Sequence, residues 1–162
     1  MNQRPLLVPV LLAVTGLTVT SSVRAEEVIW QNGRGVVISG ASITKSGNAG
    51  WGNGGASSGQ AILSGDGVLE FTTNEATTDK VCGLARRDRD QQYESIDFAF
   101  WLSGGGAVAI VERGVLMGWF GTYAAGDRLQ VTVKGKTVRY RMNGTLLYTS
   151  SVEPSFPLLA DA

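Results

Sequence analysis

The sequence has 162 residues, with 14 basic and 14 acidic side chains and no histidine. This length fits one domain, and the near-zero net charge argues against nucleic acid or an anionic membrane surface as the main partner, because both need an excess of basic residues. Without histidine the chain lacks the commonest general base and the commonest metal ligand, so we expect no Ser–His–Asp triad, no metal site and no cofactor.

The first 25 residues have the form of a secretory signal. Arg4 places a positive charge near the start, residues 6–19 are almost wholly apolar, and Ala25 supplies the small residue that signal peptidase needs. The apolar run is shorter than the ~20 residues of a membrane span, and Pro9 interrupts it. We therefore predict cleavage after Ala25, a secreted or periplasmic location, no membrane association after cleavage, and a mature domain of residues 26–162.

After residue 25, short apolar alternations are separated by turn residues, and the spacing of three and four that marks helices is not sustained. The pattern predicts about eleven short strands, the first at residues 28–31. This is more than one open sheet holds comfortably, so the fold class is predicted to be all-β, with two packed antiparallel sheets. Cys82 lies in an apolar run and is expected to be a buried, unreactive thiol.

The middle of the chain predicts one long loop and one hairpin. Residues 46–59 are rich in Gly, Ser and Asn and are predicted to form a loop that contains Trp51. Residues 60–63 and 68–71 are predicted to pair as a hairpin across the Gly-Asp-Gly turn at 65–67.

Residues 93–102 form the longest predicted strand. One face is wholly apolar and is predicted to carry Ile96, Phe98, Phe100 and Leu102. The other face is mixed and carries Asp97, Ala99 and Trp101. Such a pattern is typical of a central strand in a sandwich.

The C-terminal third has the clearest alternation. Residues 129–134 and 137–142 alternate apolar and polar side chains on either side of Gly135. Asn143 and Gly144 then predict a type I′ turn into a strand at residues 146–148.

These C-terminal motifs carry a resemblance to a known family. The run GDRLQVTV at residues 126–133, followed by the motifs at 138–140, 143–144 and 147–150, resembles the concanavalin A-like lectin/glucanase superfamily. It is most similar to bacterial exported sandwich domains that are related in shape to SPRY domains, and residues 30–32, 50–53, 93–98 and 120–123 agree. The resemblance implies a jelly-roll of two antiparallel sheets and, in many members, carbohydrate binding.

The chain departs from this family at its last residues. Relatives usually continue past the Pro-Leu-Leu segment at residues 157–159 into a last strand that pairs near the first, whereas here the sequence ends at Ala162. We therefore expect a sandwich that stops one strand early and leaves an open edge along residues 28–31, where a protein partner could pair.

Acidic residues do not predict catalysis. The glucanase branch of the superfamily uses clustered carboxylates on one strand, and retaining glycosidases hold two carboxyls about 5–5.5 Å apart. Glu94 and Asp97 are three residues apart, so alternation places them on opposite faces, and Ala99 follows where a further acid would be needed. The acids at residues 88–90 stand among arginines and favour a solvated charged loop over a calcium site. We expect no enzyme.

Tryptophans give the leading prediction of a binding site. Sugar rings stack on flat aromatic side chains while polar neighbours bond their hydroxyls. Trp119 and Phe120 must lie on opposite faces, so if Phe120 is in the core, Trp119 is exposed; Trp30 is expected in the core. The predicted ligand-binding residues are Trp51, Asn53, Asp97, Trp101 and Trp119. For Trp51 and Trp119, burial in the core and a ligand platform are both open.

Three functions follow from these patterns. The leading hypothesis is a non-catalytic, secreted, lectin-like module whose partner is a glycan. The alternative is a surface protein-interaction or structural module, which the open first-strand edge and the charged loop at residues 86–90 would suit. A glycoside hydrolase is the least favoured.

Overall fold

The computed structural model describes residues 25–162, so the predicted signal segment lies outside the described residues. In this range the chain forms thirteen strands and a single-turn 3-10 helix, Tyr93–Ser95. The strands are β1 Trp30–Arg34, β2 Val36–Ser39, β3 Ser42–Lys45, β4 Gly55–Ile62, β5 Gly67–Phe71, β6 Lys80–Ala85, β7 Phe98–Leu102, β8 Ala107–Glu112, β9 Val115–Thr122, β10 Leu129–Lys134, β11 Thr137–Met142, β12 Thr145–Thr149 and β13 Leu158–Asp161. Among these residues, none forms a helix long and apolar enough to cross a bilayer.

The strands form two main sheets. A seven-stranded sheet has the order β1-β4-β13-β6-β7-β8-β9, and a four-stranded sheet has the order β12-β11-β10-β5. A small hairpin of β2 and β3 is separate, and the pairings are antiparallel. The predicted all-β, two-sheet antiparallel sandwich is confirmed.

The core lies between the two sheets and follows the period of two that strand geometry imposes. From β7 it takes Phe98, Phe100 and Leu102, and the facing side chains come from β10 and β11. The Phe100 ring meets the Tyr140 ring edge-on, with 5.3 Å between centroids, and both side chains are fully buried. The opposite face of the seven-stranded sheet, here called the outer face, carries Ala99 and Trp101.

The predicted hairpin of residues 60–63 and 68–71 is wrong. β4 belongs to the seven-stranded sheet and β5 to the four-stranded sheet, so the intervening turn carries the chain from one sheet to the other. The predicted loop at 46–59 also ends early, because β4 begins at Gly55. A Cβ at Gly55 would lie 2.7 Å from the Ala162 carbonyl oxygen. The start of β4 therefore approaches the backbone at Ala162 so closely that only a small residue fits there.

The long strand predicted at residues 93–102 is shorter than expected. Regular pairing starts at Phe98, after the 3-10 turn. Ile96 does not share the core face with Phe98, since it packs on the outer face in a cluster with Val81, Ala85 and Ala99. The alternation breaks at Asp97, whose carboxylate accepts hydrogen bonds from the Arg86 backbone N–H and the Arg113 side chain.

The expectation that the sandwich stops one strand early is also wrong. Residues 158–161 form β13, which pairs with β4 on one side and β6 on the other, inside the seven-stranded sheet. The closing strand is therefore the Pro-Leu-Leu segment itself rather than a segment after it. Within residues 25–162, β1 is still the outermost strand at one end of this sheet, and β9 is outermost at the other.

Candidate functional site

Two tryptophans stand side by side on the outer face of the seven-stranded sheet. Residues directly opposite in antiparallel strands share a face, and the register runs from Trp101 of β7 through Ala109 of β8 to Trp119 of β9. Ala109 is fully buried and has no more than a methyl group, so the two indoles meet above it with 5.7 Å between ring centroids.

The Gly-rich loop before β4 brings a third tryptophan to the same place. Trp51 meets Trp101 edge-on, with 5.9 Å between centroids and 88° between planes. It meets Tyr93, from the 3-10 turn, at 5.7 Å and 61°. The four rings of Trp51, Tyr93, Trp101 and Trp119 are called the aromatic platform below.

Local contacts hold the Trp51 loop over the sheet. The Asn53 side-chain amide donates to the Asn48 carbonyl at 3.1 Å, and the Lys45 ammonium donates to the Gly50 carbonyl. Gly52 has a φ of +70°, a backbone conformation that residues with a side chain rarely adopt. The loop therefore favours glycine at this position because of its backbone conformation.

Much of the aromatic platform faces solvent. Trp51 is 47% exposed and Trp119 is 52% exposed, whereas Tyr93 and Trp101 are half-buried. Trp51, Tyr93 and Trp101 line a depression of about 120 Å³. Beneath them the outer-face cluster is apolar and buried, so the exposed rings rest on a rigid base.

A carboxylate lies at the edge of the platform. Asp79 Oδ1 accepts a hydrogen bond from the Trp101 indole N–H at 3.3 Å and another from the Gly104 backbone N–H at 3.2 Å. The platform thus combines exposed aromatic faces with an exposed acceptor group, which is the composition expected of a site for a polyhydroxylated ligand.

The structure brings together three of the five residues predicted from sequence. Trp51, Trp101 and Trp119 lie in the platform, and Asn53 braces the Trp51 loop through its bond to Asn48. Asp97 is engaged elsewhere, because it ties the segment after β6 to the turn after β8. Their role in ligand binding stays a prediction.

Tyr93 and Asp79 are not among the residues that sequence alone selects. Tyr93 is read there as the start of a long strand, and Asp79 lies in a polar stretch without a motif. Tyr93 reaches Trp101 through the 3-10 turn, and Asp79 reaches it through the loop before β6. Neither segment has a periodic pattern in the sequence that would predict this. By contrast, the alternation of Trp119 and Phe120 is confirmed, since Phe120 packs against the core. Trp30 also packs against the core, as predicted.

A second, polar site lies at the β1 end of the same sheet. Residues 32–34 and 88–91 line a cleft of about 510 Å³. At its base the Asp88 carboxylate accepts from the Asn32 amide and the Ser57 hydroxyl, each at 3.0 Å. The neighbouring Asp161 is 5% exposed, and its Oδ2 has no hydrogen-bond partner among the described residues.

The environment of Asp161 disfavours its charged form. Burial raises the pKa of this carboxyl to about 7, and the nearby carboxylates of Asp88 and Asp90 add to the rise, although the Ala162 backbone N–H opposes it. Across residues 25–162, no three acidic or Cys side chains are grouped as a metal site would require. The cleft lining carries both arginines and aspartates, so it selects no single ligand charge.

The remaining buried reactive groups have structural roles. The Glu112 carboxylate accepts from the Tyr140 hydroxyl at 2.9 Å and the Ser150 hydroxyl at 3.0 Å, and burial raises its pKa. Cys82 packs against the core, and burial raises the pKa of its thiol to about 12, so it stays protonated and unreactive.

Comparison with known proteins supports the architecture. No protein-family model matches the sequence, and no curated protein matches it significantly. The structure is similar to the PSpry domain of TRIM65, with a TM-score of 0.60, 11% sequence identity, and coverage of 84% of this chain and 83% of that one. It is more distantly similar to an alginate lyase from Corynebacterium sp., with a TM-score of 0.46 and 16% identity. That match covers 74% of this chain and 58% of the lyase. The likeness to the PSpry domain shows a shared β-sandwich fold.

Proposed function

We propose that this chain is a non-catalytic, exported carbohydrate-binding module of lectin-like type, and that its glycan ligand stacks on the aromatic platform. The observation that carries the proposal is the convergence of three tryptophans from a loop and two strands on one exposed patch. Monomeric proteins rarely expose such large aromatic surfaces together without a use for them.

The chemistry of the platform suits a sugar. The C–H face of a pyranose is flat and weakly apolar, so it packs on an indole, while its hydroxyls need donors and acceptors at the rim. Trp119 and Trp51 offer the exposed faces, and Asp79 offers an acceptor beside Trp101. Because the residues beneath the platform are packed, the platform loses little conformational entropy when a ligand binds.

The test is a glycan array followed by titration calorimetry with the best soluble oligosaccharide. Trp51→Ala and Trp119→Ala should each weaken binding by about tenfold, equivalent to about 1.4 kcal/mol, because each removes an aromatic contact surface. Leu146→Ala is the matched control, since this side chain is 46% exposed and lies on the four-stranded sheet. Binding that survives both tryptophan changes would place the site elsewhere, and an array without hits would remove the function.

A protein-interaction module is the second candidate, because β1 and β9 are outermost strands in the described part of the seven-stranded sheet. β9 also exposes Val115 and Leu116. Light scattering of the purified protein separates the two candidates. A dimer that dissociates on Leu116→Lys, together with an array without glycan hits, would favour this candidate over carbohydrate binding.

A further inference from the structure

We propose that Asp79 is the specificity residue of the platform and that it selects neutral, hydroxyl-rich glycans over polyuronates and sulfated chains. This inference rests on the proposed carbohydrate-binding function and names the class of ligand for the same site. It draws on three observations: where the carboxylate lies, how it is held, and which charges surround it.

The carboxylate lies where the hydroxyls of a stacked sugar would project. An N–H bond is strongest when donor and acceptor are nearly in line, so the acceptor of an indole N–H lies close to the plane of the ring and beyond its edge. The bonds from Trp101 and Gly104 both end on Oδ1 of Asp79. The exposed carboxylate therefore keeps further lone pairs for the hydroxyls of a sugar that lies over the platform beside Trp101.

Hydrogen bonds and an ion pair restrain the loop that carries Asp79. The Glu75 carboxylate accepts from the backbone N–H and hydroxyl of Thr77 and from those of Thr78, at 2.6 to 3.0 Å. The Lys80 ammonium pairs with it at 2.5 Å, and that contact, with the threonine bonds, holds the pKa of Glu75 well below its usual range. Asp79 thus lies between Thr78 and Lys80, which both contact the Glu75 carboxylate.

The turn after β7 packs against the same loop from the other side. A Cβ at Gly104 would lie 2.7 Å from the Thr77 carbonyl oxygen, so the turn after β7 touches the loop backbone directly. A carboxylate restrained in this way loses little conformational entropy when it accepts hydrogen bonds from ligand hydroxyls, which is the advantage of preorganisation.

The charges beside the platform select against anions. An ionised carboxylate accepts hydrogen bonds and cannot donate them, so it suits hydroxyl groups and repels carboxylates and sulfates. The basic side chain next to Asp79 is already paired, because the Lys80 ammonium contacts the Glu75 carboxylate. Asp79 therefore offers an acceptor whose own negative charge disfavours an acidic sugar.

The experiment is calorimetry with two sets of probes. The neutral set is the hexasaccharides of β-1,4-linked glucose, mannose and xylose, and the acidic set is the hexamers of mannuronate and galacturonate. We expect the wild-type protein to bind at least one neutral hexamer and neither uronate at low salt. Asp79→Asn should weaken the neutral hexamer at least tenfold, because hydrogen bonds to a charged group are the stronger kind.

Controls separate specificity from folding. Asn retains an Oδ1 that can accept from Trp101, so the near-ultraviolet circular dichroism of Asp79→Asn should match that of the wild type. Asp66→Asn is the matched control, since Asp66 also accepts from a glycine backbone N–H, that of Gly135, and lies in the turn between β4 and β5. It should leave binding unchanged.

The outcomes distinguish the two levels of the proposal. Uronate hexamers that bind as tightly as neutral ones, or neutral binding that is insensitive to Asp79→Asn, would overturn the role of Asp79. If that binding still required Trp119, the carbohydrate-binding function would stand. If none of the five hexamers bound and the glycan array were also empty, both proposals would fail together.

Discussion

Replacing Asp161 by asparagine should remove most of the pH dependence of stability between pH 5 and pH 8. The carboxyl of Asp161 is almost fully buried, one of its oxygens is unpartnered among the described residues, and its pKa is raised to about 7. In the unfolded chain an aspartate titrates near its ordinary value of 3.8. The folded state therefore binds more protons than the unfolded state between these two pH values.

The sign and size of the effect follow from proton linkage. Because the folded state holds the extra proton, the free energy of unfolding falls as the pH rises through the window from about 4 to about 7. Each unit of pKa difference is worth about 1.4 kcal/mol, so ionising Asp161 destabilises the fold by about 4 kcal/mol in total and by about 2.5 kcal/mol between pH 5 and pH 8.

The measurement is urea unfolding at four pH values from 5 to 8 for the wild type and for Asp161→Asn. The chain contains no histidine, which removes the side chain that most often dominates this pH range. We expect the wild type to lose about 2.5 kcal/mol more than the variant over the range, and the variant to keep a smaller slope from Glu112, whose pKa burial also raises. Asp66→Asn, a change at an exposed turn, serves as the control and should retain the wild-type slope.

Parallel pH profiles for the wild type and Asp161→Asn would refute this reasoning. They would mean that the buried carboxyl does not change its protonation in this range. A wild-type stability that rises with pH, in a way that depends on Asp161, would contradict the sign as well, because it would require a partner that favours the charged form.

Two further changes test the core and the sheet. Tyr140→Phe removes the hydroxyl that donates to the buried Glu112 carboxylate and should cost about 1–3 kcal/mol in urea unfolding; a neutral effect would show that this bond is dispensable. Gly83→Ala should cost about 3 kcal/mol, because its Cβ would lie 2.1 Å from the Phe98 carbonyl oxygen on the paired strand. Gly105→Ala, where a Cβ meets nothing closer than 3.8 Å, should be nearly neutral, and equal losses at both glycines would reject the steric argument.

The C-terminal third of the fold is predictable from sequence because its signals are local. β10 and β11 pair residue by residue from Leu129 with Met142 to Lys134 with Thr137, which is the register that their alternation requires. Asn143 and Gly144 have φ values of +50° and +83°, as a type I′ turn demands, and lead into β12. In this region propensity, alternation and turn chemistry all favour the same structure.

Elsewhere the decisive contacts are distant in sequence. The start of β4 is made of small residues whose burial depends on β13, about a hundred residues away, so no apolar alternation marks it. The turn at residues 63–66 looks the same whether it joins strands of one sheet or carries the chain between two. The three tryptophans of the platform are visible in the sequence, but the packing of Tyr93 and Asp79 against Trp101 is set by loops that cross the outer face.

The position of β13 governs the order in which the protein can fold. This strand joins β4 to β6, so until residues 158–161 are available the seven-stranded sheet is divided into a β1–β4 pair and a β6–β9 meander. Pairings across such long stretches of chain close slowly, because the entropy of a large loop is lost before its contacts form. A ribosome must therefore have made the chain through Asp161 before this sheet can close. Such a delay would suit the export proposed above, because a polypeptide whose sheet has not closed can still pass through a translocation channel.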